Sequence, residues 1–77
     1  MELWIKAQNE RALIKVTNIA LISGGRIVTF GNEYISNGYF TLGYYNEERA
    51  LEVLQEIQDI LADYKQLSRV IYCMPKK

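Results

Sequence analysis

Arg26, Lys15, Trp4, Tyr39 and Tyr45 are the side chains of this 77-residue sequence best suited to hold a ligand. A guanidinium such as Arg26 grips a phosphate or carboxylate through two parallel hydrogen bonds, and an ammonium such as Lys15 meets it as a point charge. Indole and phenol rings offer flat faces on which a base stacks. Lys6 and Arg11 could supply further phosphate contacts. Trp4, Tyr39, Tyr45 and Tyr72 have two other readings. They complete a thin core, or they form a protein interface, where Tyr and Trp are favoured. The residues alone leave all three open.

Catalytic chemistry has much less to work with. The chain has no histidine, which removes the commonest general base and metal ligand. Ser23 and Ser36 lack a histidine partner, and Cys73 has no activating base in view. Asp and Glu concentrate on one helical segment, spaced for solvent rather than for an acid/base pair or a metal loop. The reading is a protein that is not an enzyme and holds no metal or cofactor. The stretch "SGGR" (23–26) has the look of a phosphate loop, but there the glycines must lead into a helix followed by Lys-Ser/Thr. Here they lead into a β-branched run, so Gly24-Gly25 is read as a hairpin turn with Arg26 beside it.

These side chains need strands to position them. Residues 2–7 read as a first strand, with Leu3 and Ile5 on one face and Trp4 on the other. "QNERA" is a polar turn. Residues 13–22 are β-rich but interrupted at Thr17-Asn18, where a bend or bulge is expected. "RIVTF" (26–30) returns from the glycine turn, and 31–38 form a loop or wide turn with Tyr34 and Ile35 tucked inward. "YFTLGYY" (39–45) is a fourth strand. Simple alternation puts Phe40, Leu42 and Tyr44 on its buried face and Tyr39, Thr41, Gly43 and Tyr45 on the other, with Gly43 marking a bulge or a close approach by another backbone.

Asn46 then caps a helix whose first turn carries Glu47 and Glu48, where negative charge complements the helix dipole. Ala50, Val53, Leu54, Ile57, Ile60, Leu61 and Tyr64 recur at spacings of three and four and make one apolar stripe. Leu51 lies off the stripe. The helix fades near Gln66, a length of about 20 residues or roughly 30 Å. "RVIYCM" reads as a fifth strand, closed by Pro75. The expectation is a single α+β domain over residues 1–77: an antiparallel sheet of about five short strands in the order ββββαβ, with one long amphipathic helix across it. So long a helix overhangs so small a sheet, which points to a homo-oligomer, dimer or higher, with Leu51, Gly43 and Tyr72 at its interface.

Composition sets the remaining bounds. Lys and Arg balance Asp and Glu at zero net charge, so no nucleic-acid partner is expected. Six acids between Glu47 and Asp63 against Arg49 and Lys65 mark a solvated helical face. Cys73 stands alone and, inside "VIYCM", reads as a buried thiol. No basic-then-apolar leader opens the sequence, and no apolar run reaches the ~18–20 residues that cross a bilayer. The expected setting is the cytoplasm, away from membranes.

"LWIKAQNERALIKVTNIAL", "FTLGYYNEERALEVLQEIQ" and the terminal "VIYCMP" resemble small proteins encoded by phages and prophages of Gram-positive bacteria. The resemblance rests on Trp4, Ile5, Gln8 and Asn9, on Leu42, Gly43, Tyr45, Glu47, Glu48, Ala50, Glu52, Val53, Leu54, Ile57 and Gln58, and on Met74-Pro75. Ala7, where such proteins often carry Ser, and the basic Lys76-Lys77 tail depart from the pattern. No activity carries over residue by residue. The resemblance implies a phage-borne accessory protein in the cytoplasm of an infected or lysogenic host. Such a protein would inhibit antiviral defence, by sequestering a small anionic nucleotide signal at an oligomer interface or by blocking a host defence protein. The alternative is a structural, protein-interaction module of the phage with no small-molecule ligand.

Overall fold

The computed structural model describes residues 2–31, 38–63 and 68–77. The inward placement expected of Tyr34 and Ile35, the serine Ser36, and the helix end from Tyr64 to Gln66 lie outside the described residues. The elements run β1 (Glu2–Lys6), β2 (Leu13–Val16), β3 (Ile19–Ile22), β4 (Arg26–Phe30), β5 (Tyr39–Tyr44), α1 (Glu47–Asp63) and β6 (Arg69–Cys73).

The α+β class holds, but the single antiparallel sheet does not. The strands form two three-stranded sheets, ordered β2-β1-β6 and β3-β4-β5. The run expected as one strand over 13–22 changes partner at Thr17-Asn18: Val16 pairs with Leu3 of β1, and Ile19 pairs with Thr29 of β4. Asn18 is the pivot. Its carbonyl accepts the Thr29 hydroxyl at 2.8 Å, and its side-chain Nδ2 donates to the Phe30 carbonyl at 3.3 Å. Those bonds commit the chain to β4 and turn it away from β1. The second departure is β6, which lies parallel to β1 with Ile71 beside Trp4. Parallel pairing needs a long crossover, and the segment containing α1 supplies it.

Locally the expectations are met. Gly24 and Gly25 both adopt positive φ, 82° and 75°, at the β3–β4 turn. Gly25 is further constrained, because a Cβ there would run into the Tyr45 carbonyl. Asn46 caps α1: its Oδ1 accepts the Arg49 N–H at 2.8 Å.

One core draws on every layer. Leu3, Ile5 and Val16 come from the β1 sheet and Ile27, Leu42 and Tyr45 from the β4 sheet and its continuation; Ala50, Val53 and Ile57 come from α1, and Met74 from the tail. The apolar stripe of α1 is only partly covered, since Leu61 remains 37% exposed.

Candidate functional site

The β4–β5 ladder carries an irregularity that decides which tyrosines face outward. Ile27 pairs with Gly43 and Val28 with Thr41, so Leu42 is an extra residue in β5. A one-residue bulge reverses the alternation beyond it. Phe40 and Leu42 point inward as expected, but past the bulge Tyr45 points inward and Tyr44 outward, the opposite of the simple alternation. Tyr45 is 6% exposed and Tyr44 is 55% exposed.

Tyr44 therefore joins Arg26, Tyr39 and Phe30 on the outer face of the β4 sheet. Arg26 and Tyr44 are cross-strand partners, and the guanidinium carbon lies 5.1 Å from the Tyr44 ring centroid. At the far end of the same ladder Tyr39 pairs with Phe30, and the Tyr39 hydroxyl accepts a bond from Arg26 Nη1 at 3.1 Å. Four residue steps along the strand take Arg26 to Phe30, about 13 Å at the usual rise. The two side chains thus lie flat along the sheet toward each other, across the position of Val28, which is 2% exposed although it sits on the outer face. The contacts with Tyr44, and after it Tyr39, push the Arg26 guanidinium further above its usual value. Among the described residues no carboxylate comes within ion-pair distance of Arg26. The result is an aromatic platform with one positive charge that no described carboxylate pairs, and two phenolic O–H groups at its edges.

The other residues singled out in the sequence fall elsewhere. Trp4 and Lys15 lie on the outer face of the β1 sheet, separate from Arg26 and Tyr39. There Glu2 gathers three partners: Trp4 Nε1 at 3.2 Å, Lys15 at 3.4 Å and Arg69 at 3.3 Å. The Trp4 bond first, then Lys15, holds the Glu2 carboxyl below its ordinary value. Tyr45 is packed in the core with its hydroxyl donating to the Pro75 carbonyl. Of the interface candidates, Leu51 is exposed at 58%, whereas Gly43 is buried under the Tyr45 ring and the Met74 methyl. The bulge foreseen at Gly43 lies beside it at Leu42, and the close approach there is made by side chains, not by another backbone. Tyr72 faces inward, half-buried, and its hydroxyl is buried without a partner among the described residues. Cys73, expected as a buried thiol, is exposed, because it stands on the outer face of β6 beside Lys6.

Gln8 is a residue whose role sequence reasoning missed. It follows β1 and bridges to the bulge of β5: its N–H donates to the Leu42 carbonyl and its Oε1 accepts the Tyr44 N–H, both at 2.8 Å. Its Nε2 donates to the Lys76 carbonyl at 2.9 Å. The tail is held further by Tyr45 on Pro75, by Lys76 Nζ on Glu10 at 2.9 Å and by Arg49 Nε on the Lys77 carbonyl at 3.0 Å. Only the Gln8-Asn9 pair in the resemblance hinted at it.

A concavity of about 550 Å³ lies between α1 and the β2–β3 junction, lined by Leu3, Val16, Ile19, Leu54, Ile57 and Leu61 with Thr17 and Gln58. It offers no charge to an anion. Among the described residues no cluster of three His, Cys, Asp or Glu side chains is placed to hold a metal ion. Nor is any helix among them long and apolar enough to cross a membrane. No known protein family, curated protein or solved structure matches this chain.

Proposed function

We propose that this chain is a non-enzymatic binding protein that takes a planar anionic ligand of the nucleotide class on the Arg26–Tyr39–Tyr44 platform. The observation that carries the reading is the Arg26 guanidinium. It is held against the Tyr44 ring and the Tyr39 hydroxyl, and no carboxylate neutralises it among the described residues. The guanidinium has five N–H donors, more than its contacts with Tyr39 and Tyr44 take up, so donors remain for a phosphate. The exposed phenol faces accept a base by stacking. In the phage setting that the resemblance implies, such a platform would sequester a nucleotide signal of host defence.

Thermal unfolding with a panel of cyclic and ADP-ribose-type nucleotides tests this. A ligand that binds only the folded state raises stability by RT ln(1 + [L]/Kd), about 2.7 kcal/mol at a hundredfold excess over Kd. Arg26→Ala and Tyr44→Ala are expected to remove that gain while leaving the unliganded melting temperature nearly unchanged. Tyr45→Phe is expected to keep it. A panel without any shift defeats the reading. The same face would then serve as a protein contact, since exposed Tyr and Phe beside an Arg also suit an interface.

A further inference from the structure

The outer face of the β1 sheet combines exposed apolar side chains with an excess of positive charge. Leu13 is 52% exposed and Ile71 58%, and the two line one shallow hollow of about 370 Å³ together with Lys6, Glu10, Arg11 and Ala12. Cations ring it. Lys6 and Lys76 both reach Glu10, at 3.9 and 2.9 Å, and Lys15 and Arg69 both reach Glu2 beside Trp4. Among the described residues, five cations (Lys6, Arg11, Lys15, Arg69, Lys76) thus face two carboxylates, Glu2 and Glu10, each already holding two of them.

The outer face of α1 has the inverse composition. Glu47, Glu48, Glu52, Asp59 and Asp63 are exposed along it, and at its margin toward Tyr72 Arg49 is tied to Glu52 at 3.1 Å and to Glu56 at 3.4 Å. Out of this acidic surface projects Leu51, 58% exposed, with Glu47 and Glu48 one turn before it. One face therefore has an apolar hollow in a basic rim, and the other an apolar knob in an acidic rim.

We propose that the basic hollow of the β1 sheet docks the α1 helix of a second copy of this chain, with Leu51 seated between Leu13 and Ile71. Charge complementarity selects this occupant. The carboxylates of the first two helical turns meet Lys6 and Arg11 at the rim of the hollow. The two patches cannot satisfy each other within one molecule, because the β1 sheet and α1 bury their inner faces in one common core and so turn their outer faces apart. A contact between two different surfaces on opposite sides is heterologous. It propagates head to tail rather than closing as a twofold dimer.

Light-scattering mass measured on the full chain tests this. In low salt at high concentration the mass is expected to exceed the 8.9 kDa of one chain and to grow with concentration. In molar salt, where screening shortens the electrostatic range to about 3 Å, it is expected to fall toward one chain. Leu51→Lys spoils the knob and Ile71→Glu spoils the hollow. Both positions are exposed, so both variants should fold, which far-UV circular dichroism checks. Each variant alone is expected to be a monomer, and their equimolar mixture a dimer and nothing larger, since one intact knob then meets one intact hollow. Arg11→Glu, outside the apolar contact, is expected to weaken wild-type association and its salt dependence together. A monomeric wild type at low salt overturns the proposal. So does a mixture that stays monomeric, or an Ile71→Glu variant that associates like the wild type.

Discussion

The side-chain amide of Gln8 brackets the backbone of Tyr44: Oε1 accepts the Tyr44 N–H at 2.8 Å, and Nε2 lies 3.3 Å from the Tyr44 carbonyl. These groups belong to different sheets, so one glutamine ties β1 to the bulged strand β5. It also fixes which of two adjacent tyrosines reaches solvent, since it engages the chain just beyond the extra residue Leu42. The position of Tyr44 beside Arg26 depends on this clamp as well as on β4.

Removing the clamp should loosen both sheets. Gln8→Ala gives the exposed Tyr44 N–H and Lys76 carbonyl over to water, and is expected to cost about 0.5–1.5 kcal/mol in urea unfolding. Gln8→Glu is expected to fall in the same range, because a carboxylate keeps the acceptor for Tyr44 N–H but sets negative oxygen against the Lys76 carbonyl. A loss within experimental error for both would show that the two sheets are held by the core alone.

Two glycines of similar φ should respond differently to alanine. At Gly38 (φ 74°) an added Cβ meets none of the described residues within 4 Å, so the backbone penalty of about 1 kcal/mol dominates. At Gly25 (φ 75°) the Cβ would meet the Tyr45 carbonyl, whose residue also donates its N–H to the Gly25 carbonyl at 3.0 Å. Gly25→Ala is therefore expected to cost well above that about 1 kcal/mol, and Gly38→Ala to stay near it. Thermal or urea midpoints for the pair give the comparison.

Tyr72 should make the fold sensitive to alkali. Burial above all, then the Glu56 carboxylate, pushes its phenol up to about 12, and burial pushes Tyr45 in the same direction. Below the ordinary tyrosine value of about 10, both folded and unfolded chains keep the proton and the full stability is present. Between there and about 12 the unfolded chain releases its proton first, so stability falls as pH rises. Tyr72→Phe removes this loss along with a hydroxyl that has no partner among the described residues. It is expected to match or exceed the wild type by up to about 1 kcal/mol at neutral pH and to show a shallower decline in alkali. A variant less stable at neutral pH would mean that the hydroxyl has a partner.

Arg26→Lys separates charge from geometry on the platform. The ammonium keeps the positive charge but loses the planar fork and much of the stacking on Tyr44. Stability should stay within about 0.5 kcal/mol, as for exposed positions generally. Nucleotide affinity, if the platform is the site, should fall at least about tenfold by calorimetric titration, a loss of roughly 1.4 kcal/mol. Equal affinity for both variants would place the anion elsewhere.

What the sequence determined by itself is the set of features written in local contacts. The Gly24-Gly25 turn, the Asn46 cap, the acidic first helical turn and the apolar spacing of Ala50, Val53 and Ile57 each depend on a few neighbouring residues. Their physics is the left-handed φ that glycine accepts, a side chain bonded to an N–H three residues on, and a repeat near 3.6. The exposed charge of α1 and the solvent position of Leu51 were equally legible.

Tertiary structure decided the rest, because a strand does not name its partner. The break at Thr17-Asn18 could be foreseen, but not that Asn18 would hand the chain from β1 to β4. The parallel β1–β6 pair likewise depends on where the segment containing α1 delivers the chain. One inserted residue, Leu42, reverses everything after it, since side chains alternate with a period of two. For that reason Arg26 and Tyr39 were recognised from their types, while Tyr44 and Tyr45 exchanged places. A glycine in a strand announces a bulge, but only the ladder beside it settles which side chain turns to the water.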